Sequence, residues 1–181
     1  LFKESNLIPD MKNNIKKYRA YLEKKKKEIE EEAKLQKEIL IENLLPNQDC
    51  LEIIDKGKVG LWSRRVEQKD FLTARIGIGD YPLDVAISCP EEGFSIDDEF
   101  LKKEAMNLAK EYEILKNVPV GYSFLNHMLT AVMGNSYKVH KLLENIILQL
   151  ITFHSYEDLK IVIFTDIKNR DSWDFVKYLP H

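Results

Sequence analysis

The stretch from Gly134 to Asp166 constrains this sequence most. A glycine turn opens the helix-patterned segment Tyr137–Phe153, and a nearly continuous apolar run, Leu159–Thr165, follows it. Val139, Leu142, Leu143, Ile146, Ile147 and Leu150 recur at helical spacing, while Leu148 and Ile151 lie on another face. A helix apolar on more than one face has to be buried. An unbroken apolar strand suits the interior of a parallel sheet. With Leu129–Met133 as a preceding strand, the order becomes a βαβ unit with a right-handed crossover. This predicts an α/β fold with a parallel sheet. Ligands of such sheets sit at the carboxyl ends of the strands, here Gly134–Lys141 together with Asp166.

The N-terminal part has a different texture. Met11–Leu45 is rich in Lys and Glu, lacks Gly, and is bracketed by Pro9 and Pro46, which predicts a long helix or helical pair. Its apolar positions, Ile15, Tyr18, Leu22, Ile29, Ala33, Leu40 and Leu44, form a thin stripe, and Lys25, Glu32 and Gln36 fall on would-be heptad seams. The expected organisation is a helical stalk over residues 1–46 and an α/β domain over 47–181. Within that domain Cys50–Ile54, Leu72–Ile78, Leu83–Cys89 and Val118–Val120 read as strands, and Ser95 to about Lys116 as a helix with a Ser95/Asp98 start.

Composition excludes several classes. The 181 residues carry 44% hydrophobic and 31% charged side chains with a net charge of -3, so nucleic acid is not an expected partner. No apolar run reaches the length of a membrane-spanning helix, and no signal peptide is expected. Cys50 and Cys89 have no ligand spacing and read as reduced cytosolic thiols, a disulfide being the minor option. His127, His140, His154 and His181 share no metal-ligand spacing. Because the sequence starts at Leu1 and not Met, it is expected to be a piece of a longer protein.

A phosphate-binding loop reads G-x-x-x-x-G-K-[ST] after a strand. This sequence has Gly134-Asn135-Ser136-Tyr137-Lys138-Val139-His140-Lys141 at that place. Gly134 fits, but Val139 replaces the second glycine, His140 the lysine, and Lys141 the hydroxyl residue that holds magnesium. The residues Gly134, Lys138, His140, Lys141 and Asp166 therefore predict a degenerate nucleotide site with weak anion binding at a helix N-terminus, with no metal and no catalytic group. Asp166 fits a turn role equally well. Arg64, Arg65 and Arg75 could reach a neighbouring subunit or a phosphate, but read rather as surface cations pairing with Glu67 or Asp70; Trp62 could anchor an interface, but reads rather as a core or domain-edge aromatic. Lys24–Lys27, followed by Glu28, reads as a solvated helix face.

Particular residues carry a family resemblance. Ser155-Tyr156-Glu157-Asp158-Leu159-Lys160, then Ile161–Asp166, Lys168 and Leu179-Pro180-His181, resemble the FtsK-type motor ATPases, with Tyr156 in place of a proline. Upstream, Leu61-Trp62-Ser63-Arg64-Arg65, Asp70-Phe71-Leu72, Arg75-Ile76-Gly77-Ile78-Gly79 and Pro82 resemble the segment ahead of the motor domains in the EssC/EccC family of type VII secretion. Trp173 and Tyr18-Arg19-Ala20-Tyr21-Leu22 extend the likeness across nearly the whole chain. The resemblance implies a P-loop NTPase-like (FtsK-type) domain next to the membrane, on the cytoplasmic face of a bacterial cell. The parent would be a hexameric, membrane-anchored ATPase that exports small helical proteins. This piece would follow the transmembrane helices as a pseudo-ATPase domain with no cofactor of its own. ATP and magnesium would belong to other domains, and a Walker B acid would lie beyond His181. The alternative is a genuine ATP-binding domain with a divergent loop.

Overall fold

A computed structural model describes residues 9–85 and 96–181. Among these residues the fold is mostly helical. In chain order it runs α1 (Pro9–Asn43), α2 (Asn47–Lys56), β1 (Thr73–Pro82), α3 (Ile96–Glu111), β2 (Ile114–Ser123), α4 (Ser136–Phe153) and a 3₁₀ segment, Ile167–Tyr178. The strands β1 and β2 form one two-stranded antiparallel sheet. The chain divides into two compact units, residues 1–43 with 78–118, and residues 44–77 with 119–181.

The first unit is built on α1. Its long helix follows from the Gly-free, Lys/Glu-rich composition between Pro9 and Asn43. The thin stripe is the half-buried side, with Ile29 buried at its centre. Where the stripe lapses, the stems of Lys25 and Lys26 are half-buried in its place. Helix α3 lies along α1, where Arg19 pairs with Glu104 at 3.1 Å and the Tyr18 hydroxyl reaches the Leu101 carbonyl at 3.5 Å. The Tyr112 hydroxyl donates to Glu30 at 2.6 Å. Gln36 completes the unit: its amide N–H donates to the Pro82 carbonyl at 3.0 Å and its oxygen accepts the Asp84 N–H at 2.9 Å.

The second unit is organised by α4 packing on α2. Cys50, Ile53 and Phe153 form the buried cluster, edged by Leu45, Leu61 and Leu148. Gln149, fully buried, donates to the Leu45 carbonyl and to Asn47 Oδ1, both at 3.1 Å, and so ties α4 to the start of α2. Gly121 marks a close approach: a Cβ there would meet Leu44 Cδ2 at 3.0 Å and Thr73 Cγ2 at 3.2 Å.

The expected parallel-sheet, P-loop-like α/β architecture is not what forms. Strand character requires a ladder partner, and apolar content alone does not supply one. Leu129–Met133 has no strand, and Met128, Leu129 and Met133 are each more than 90% exposed. Leu159–Thr165 is likewise outside any strand; the Leu159 N–H donates to the Ser155 carbonyl and the Ile161 N–H to the His181 carbonyl, each at 3.0 Å. Its side chains alternate between half-buried (Ile161, Ile163) and exposed (Val162, Phe164), so it is not a sheet interior. Cys50–Ile54 is helical, within α2. Pro46 before it, Asp49 in its first turn, Lys56 in its last and Gly57 in the left-handed C-cap at φ 55° are helix-end chemistry that outweighs a short apolar run. The predicted Ser95–Lys116 helix ends at Glu111 and gives way to β2. Leu72–Ile78 lies largely within β1 and Val118–Val120 within β2. The Leu83–Cys89 strand and the Ser95/Asp98 start fall mostly outside the described residues.

Candidate functional site

Two places carry concentrated polar chemistry, both in the second unit. The first is the start of α4, where Gly134, Lys138, His140 and Lys141 lie. Asn135 is its N-cap. Its side-chain oxygen accepts the Tyr137 N–H at 3.1 Å and the Lys138 N–H at 3.3 Å, and its carbonyl accepts the Val139 N–H at 2.9 Å. The N–H groups that a bound anion would use are thus engaged by the protein itself. One turn on, Glu144 gathers the nearby bases. Its Oε1 lies 3.0 Å from His140 Nε2 and its Oε2 lies 2.6 Å from Lys141 Nζ. The hydrogen bond to Glu144, and then its charge, raise the Lys141 pKa. The His140 ring meets Trp173 edge to face at 4.4 Å.

Asp166 stands apart from this group. Its Oδ1 accepts the Asn169 N–H at 2.9 Å and caps the 3₁₀ segment. Among the described residues no hydrogen bond or ion pair joins it to Gly134, Lys138, His140 or Lys141. The structure therefore brings His140 and Lys141 together on Glu144, leaves Lys138 exposed beside them, and puts Asp166 to another local use.

The second place sits at the other end of α4, around His154, which sequence pattern did not single out. His154 is the C-cap and fully buried. Its Nδ1 lies 2.9 Å from the Leu150 carbonyl, and its Nε2 accepts the Leu72 N–H at 2.9 Å. The loop from Trp62 to Thr73 wraps this helix end, with the Trp62 N–H on the Thr152 carbonyl at 2.8 Å and the Arg64 N–H on the Phe153 carbonyl at 2.9 Å. Arg64 is buried, contrary to its expected surface role. Its guanidinium donates to the Thr73 carbonyl, pairs with Asp70 at 3.1 Å and lies 4.4 Å from the centre of the Phe153 ring. Burial lowers the Arg64 pKa, and Asp70 opposes that shift. Arg65 is exposed and 3.9 Å from Asp158. Arg75 donates to the Leu44 carbonyl at 2.8 Å. Trp62 packs edge to face on Tyr156 at 5.4 Å and on His181 at 6.4 Å. Sequence alone held one signal for this cluster: arginines beside an aromatic, with an acid a few residues on.

Elsewhere, Cys50 is a buried free thiol whose pKa burial pushes up. An open groove of about 390 Å³ between α1 and α3 is lined by charges of both signs, including the Arg19–Glu104 pair. Among the described residues no cluster of metal-ligating side chains occurs, and no helix is long and apolar enough to cross a membrane.

Comparison with known proteins adds a direct line of evidence. The chain is 28% identical over 167 residues to the ESX secretion system protein EccC of Geobacillus thermodenitrificans, covering 91% of this chain and 11% of that protein. It is 27% identical over 172 residues to the type VII secretion system protein EssC of Staphylococcus aureus, covering 95% of this chain and 12% of that protein. Over nearly its whole length the chain is homologous to EssC/EccC proteins of type VII secretion. The ESX secretion system protein YukB of Bacillus subtilis is similar as well, 26% identical over 166 residues. The chain spans only about a ninth of the length of these EssC/EccC relatives. No family model matches it.

Proposed function

We propose that this chain acts, within an EssC/EccC-type protein, as a non-hydrolysing module that couples the membrane part of a secretion motor to its working ATPase domains. The observation that carries this reading is the start of α4. Asn135 occupies the helix N–H groups, and Glu144 holds both His140 and Lys141, so the stretch aligned with a phosphate loop is satisfied by the protein's own side chains. Residues there can still attract an anion weakly, through Lys138 and the helix dipole, with no hydroxyl placed to hold magnesium. The homology to EssC/EccC proteins over nearly the whole chain supports a segment of a membrane-anchored, multi-subunit assembly at the cytoplasmic face of a bacterial membrane. Export of small helical proteins would then be the work of the whole assembly.

Calorimetric titration with Mg-ATP, at low and high salt, tests the reading. The expected outcome is no magnesium-dependent heat and at most a salt-sensitive anion effect that Lys138→Ala weakens. Magnesium-dependent binding tighter than about 10 micromolar, roughly 7 kcal/mol, would promote the divergent ATP-binding domain instead.

A further inference from the structure

We infer that His154 is a proton-operated pin: its neutral ring holds the Trp62–Thr73 loop on the end of α4, and acid frees that loop. The ring is held by two hydrogen bonds of opposite polarity. The Leu150 carbonyl can only accept, so Nδ1 carries the proton; the Leu72 N–H can only donate, so Nε2 must be bare. A second proton on Nε2 would set one N–H against another inside a fully buried pocket. It would also place a positive charge beside a guanidinium that stays charged throughout the physiological range.

The groups around the ring fix the direction of the effect. From the loop, Arg64 and Asp70 face it electrostatically, and the Phe71 ring meets it edge to face at 5.1 Å. From the C-terminal stretch, His181 Nε2 lies 2.9 Å from the His154 carbonyl. From its own helix comes the Leu150 carbonyl. Asp70, the carboxylate of this set, is about half exposed and already paired with Arg64. Burial lowers the His154 pKa first; the Leu150 bond opposes this, and Arg64 lowers it further. A base whose folded value lies below its free value of about 6.5 contributes full stability above that pH. The contribution is lost as pH falls from there toward the folded value.

The loop is also built to leave. Trp62 and Leu72, near its two ends, both sit in the left-handed region, at φ 53° and 55°, where bulky side chains are strained. Such residues stay in place only while their surroundings hold them, and both N–H groups are anchored on the helix end that His154 caps. Release would turn the buried Arg64 into a surface cation next to exposed Arg65.

Amide hydrogen exchange on the 181-residue chain, read residue by residue by NMR from about pH 7.5 to about pH 5, tests the pin over the histidine range. The rates are corrected for the intrinsic pH dependence of exchange. Protection at Trp62, Arg64 and Leu72 should be level above about pH 6.5 and then fall by up to tenfold per pH unit. Amides in the middle of α1 should keep theirs. His154→Gln keeps a neutral acceptor for the Leu72 N–H, so its loop should stay protected to the acid end. Loop protection that is flat with pH in the parent chain, or an acid loss that persists in His154→Gln, would overturn the proposal. Should that variant fail to fold, the parent chain still decides through the His154 ring nitrogens. Titration near the free value with the loop still protected would refute the pin, and proton uptake together with loop opening would sustain it.

Discussion

Two arginines adjacent in sequence, Arg64 and Arg65, are separated by what surrounds them. Arg64 is buried and holds Thr73, Asp70 and the Phe153 ring. Removing it leaves the half-buried Thr73 carbonyl without this donor and strips the Phe153 ring of its cover, so Arg64→Ala should destabilise the second unit by about 1–3 kcal/mol in urea unfolding. Arg65 is exposed and 3.9 Å from its acid, so Arg65→Ala should change stability by less than about 0.5 kcal/mol. Equal losses in the two variants would show that the burial of Arg64 has been misjudged. In the first unit, Tyr112 donates to Glu30, which pushes its pKa up to about 12. An acid whose folded value is raised contributes stability below the free value of about 10 and loses it as pH rises through the folded value. Tyr112 should therefore ionise late in an alkaline absorbance titration. Glu30→Gln should bring it back toward the free value of about 10; a Tyr112 that ionises there in the parent chain would contradict the hydrogen bond.

At the scale of elements, α4 organises the core of the second unit. Ile146, Ile147 and Phe153 are buried along it, and Phe153 completes the cluster with Cys50 and Ile53. Phe153→Ala should cost roughly 3–5 kcal/mol, a large share of a domain's stability. Ile146→Asp should unfold the second unit, since a lone carboxylate would have no partner there. A soluble Ile146→Asp protein with an unchanged melting temperature would mean that α4 is not a core helix. The N-cap is a smaller and more local term: Asn135→Ala should lower stability by about 1 kcal/mol. The same change frees the Tyr137 and Lys138 N–H groups, so it should strengthen phosphate binding at the start of α4 while still requiring no magnesium. Unaltered phosphate affinity in Asn135→Ala would mean that these N–H groups are not a latent anion site.

For the whole molecule, sequence and structure divide the labour unevenly. The long N-terminal helix was legible because thirty-odd residues of Lys, Glu and apolar stripe between two prolines admit little else. Helix α4 was legible because its apolar positions recur at helical spacing over five turns. Much of β1 was legible from a β-rich run, but of β2 only Val118–Val120, since Ile114–Lys116 read as the end of a helix. These are local properties: backbone propensity, side-chain period and end chemistry act within a few residues, and the sequence by itself determined them. The homology to EssC/EccC proteins was legible too, through the order and spacing of Trp62, Arg64, Arg65, Gly77, Gly79 and the Pro180-His181 end. Tertiary structure alone decided whether apolar runs such as Leu159–Thr165 join a sheet, because a ladder needs a partner from elsewhere in the chain. It likewise decided that His154, one histidine of four without any motif, lies beneath the Trp62–Thr73 loop with Leu72 aimed at its ring. That contact joins residues 82 positions apart, and it rests on burial and hydrogen-bond direction, which exist only once the chain has packed.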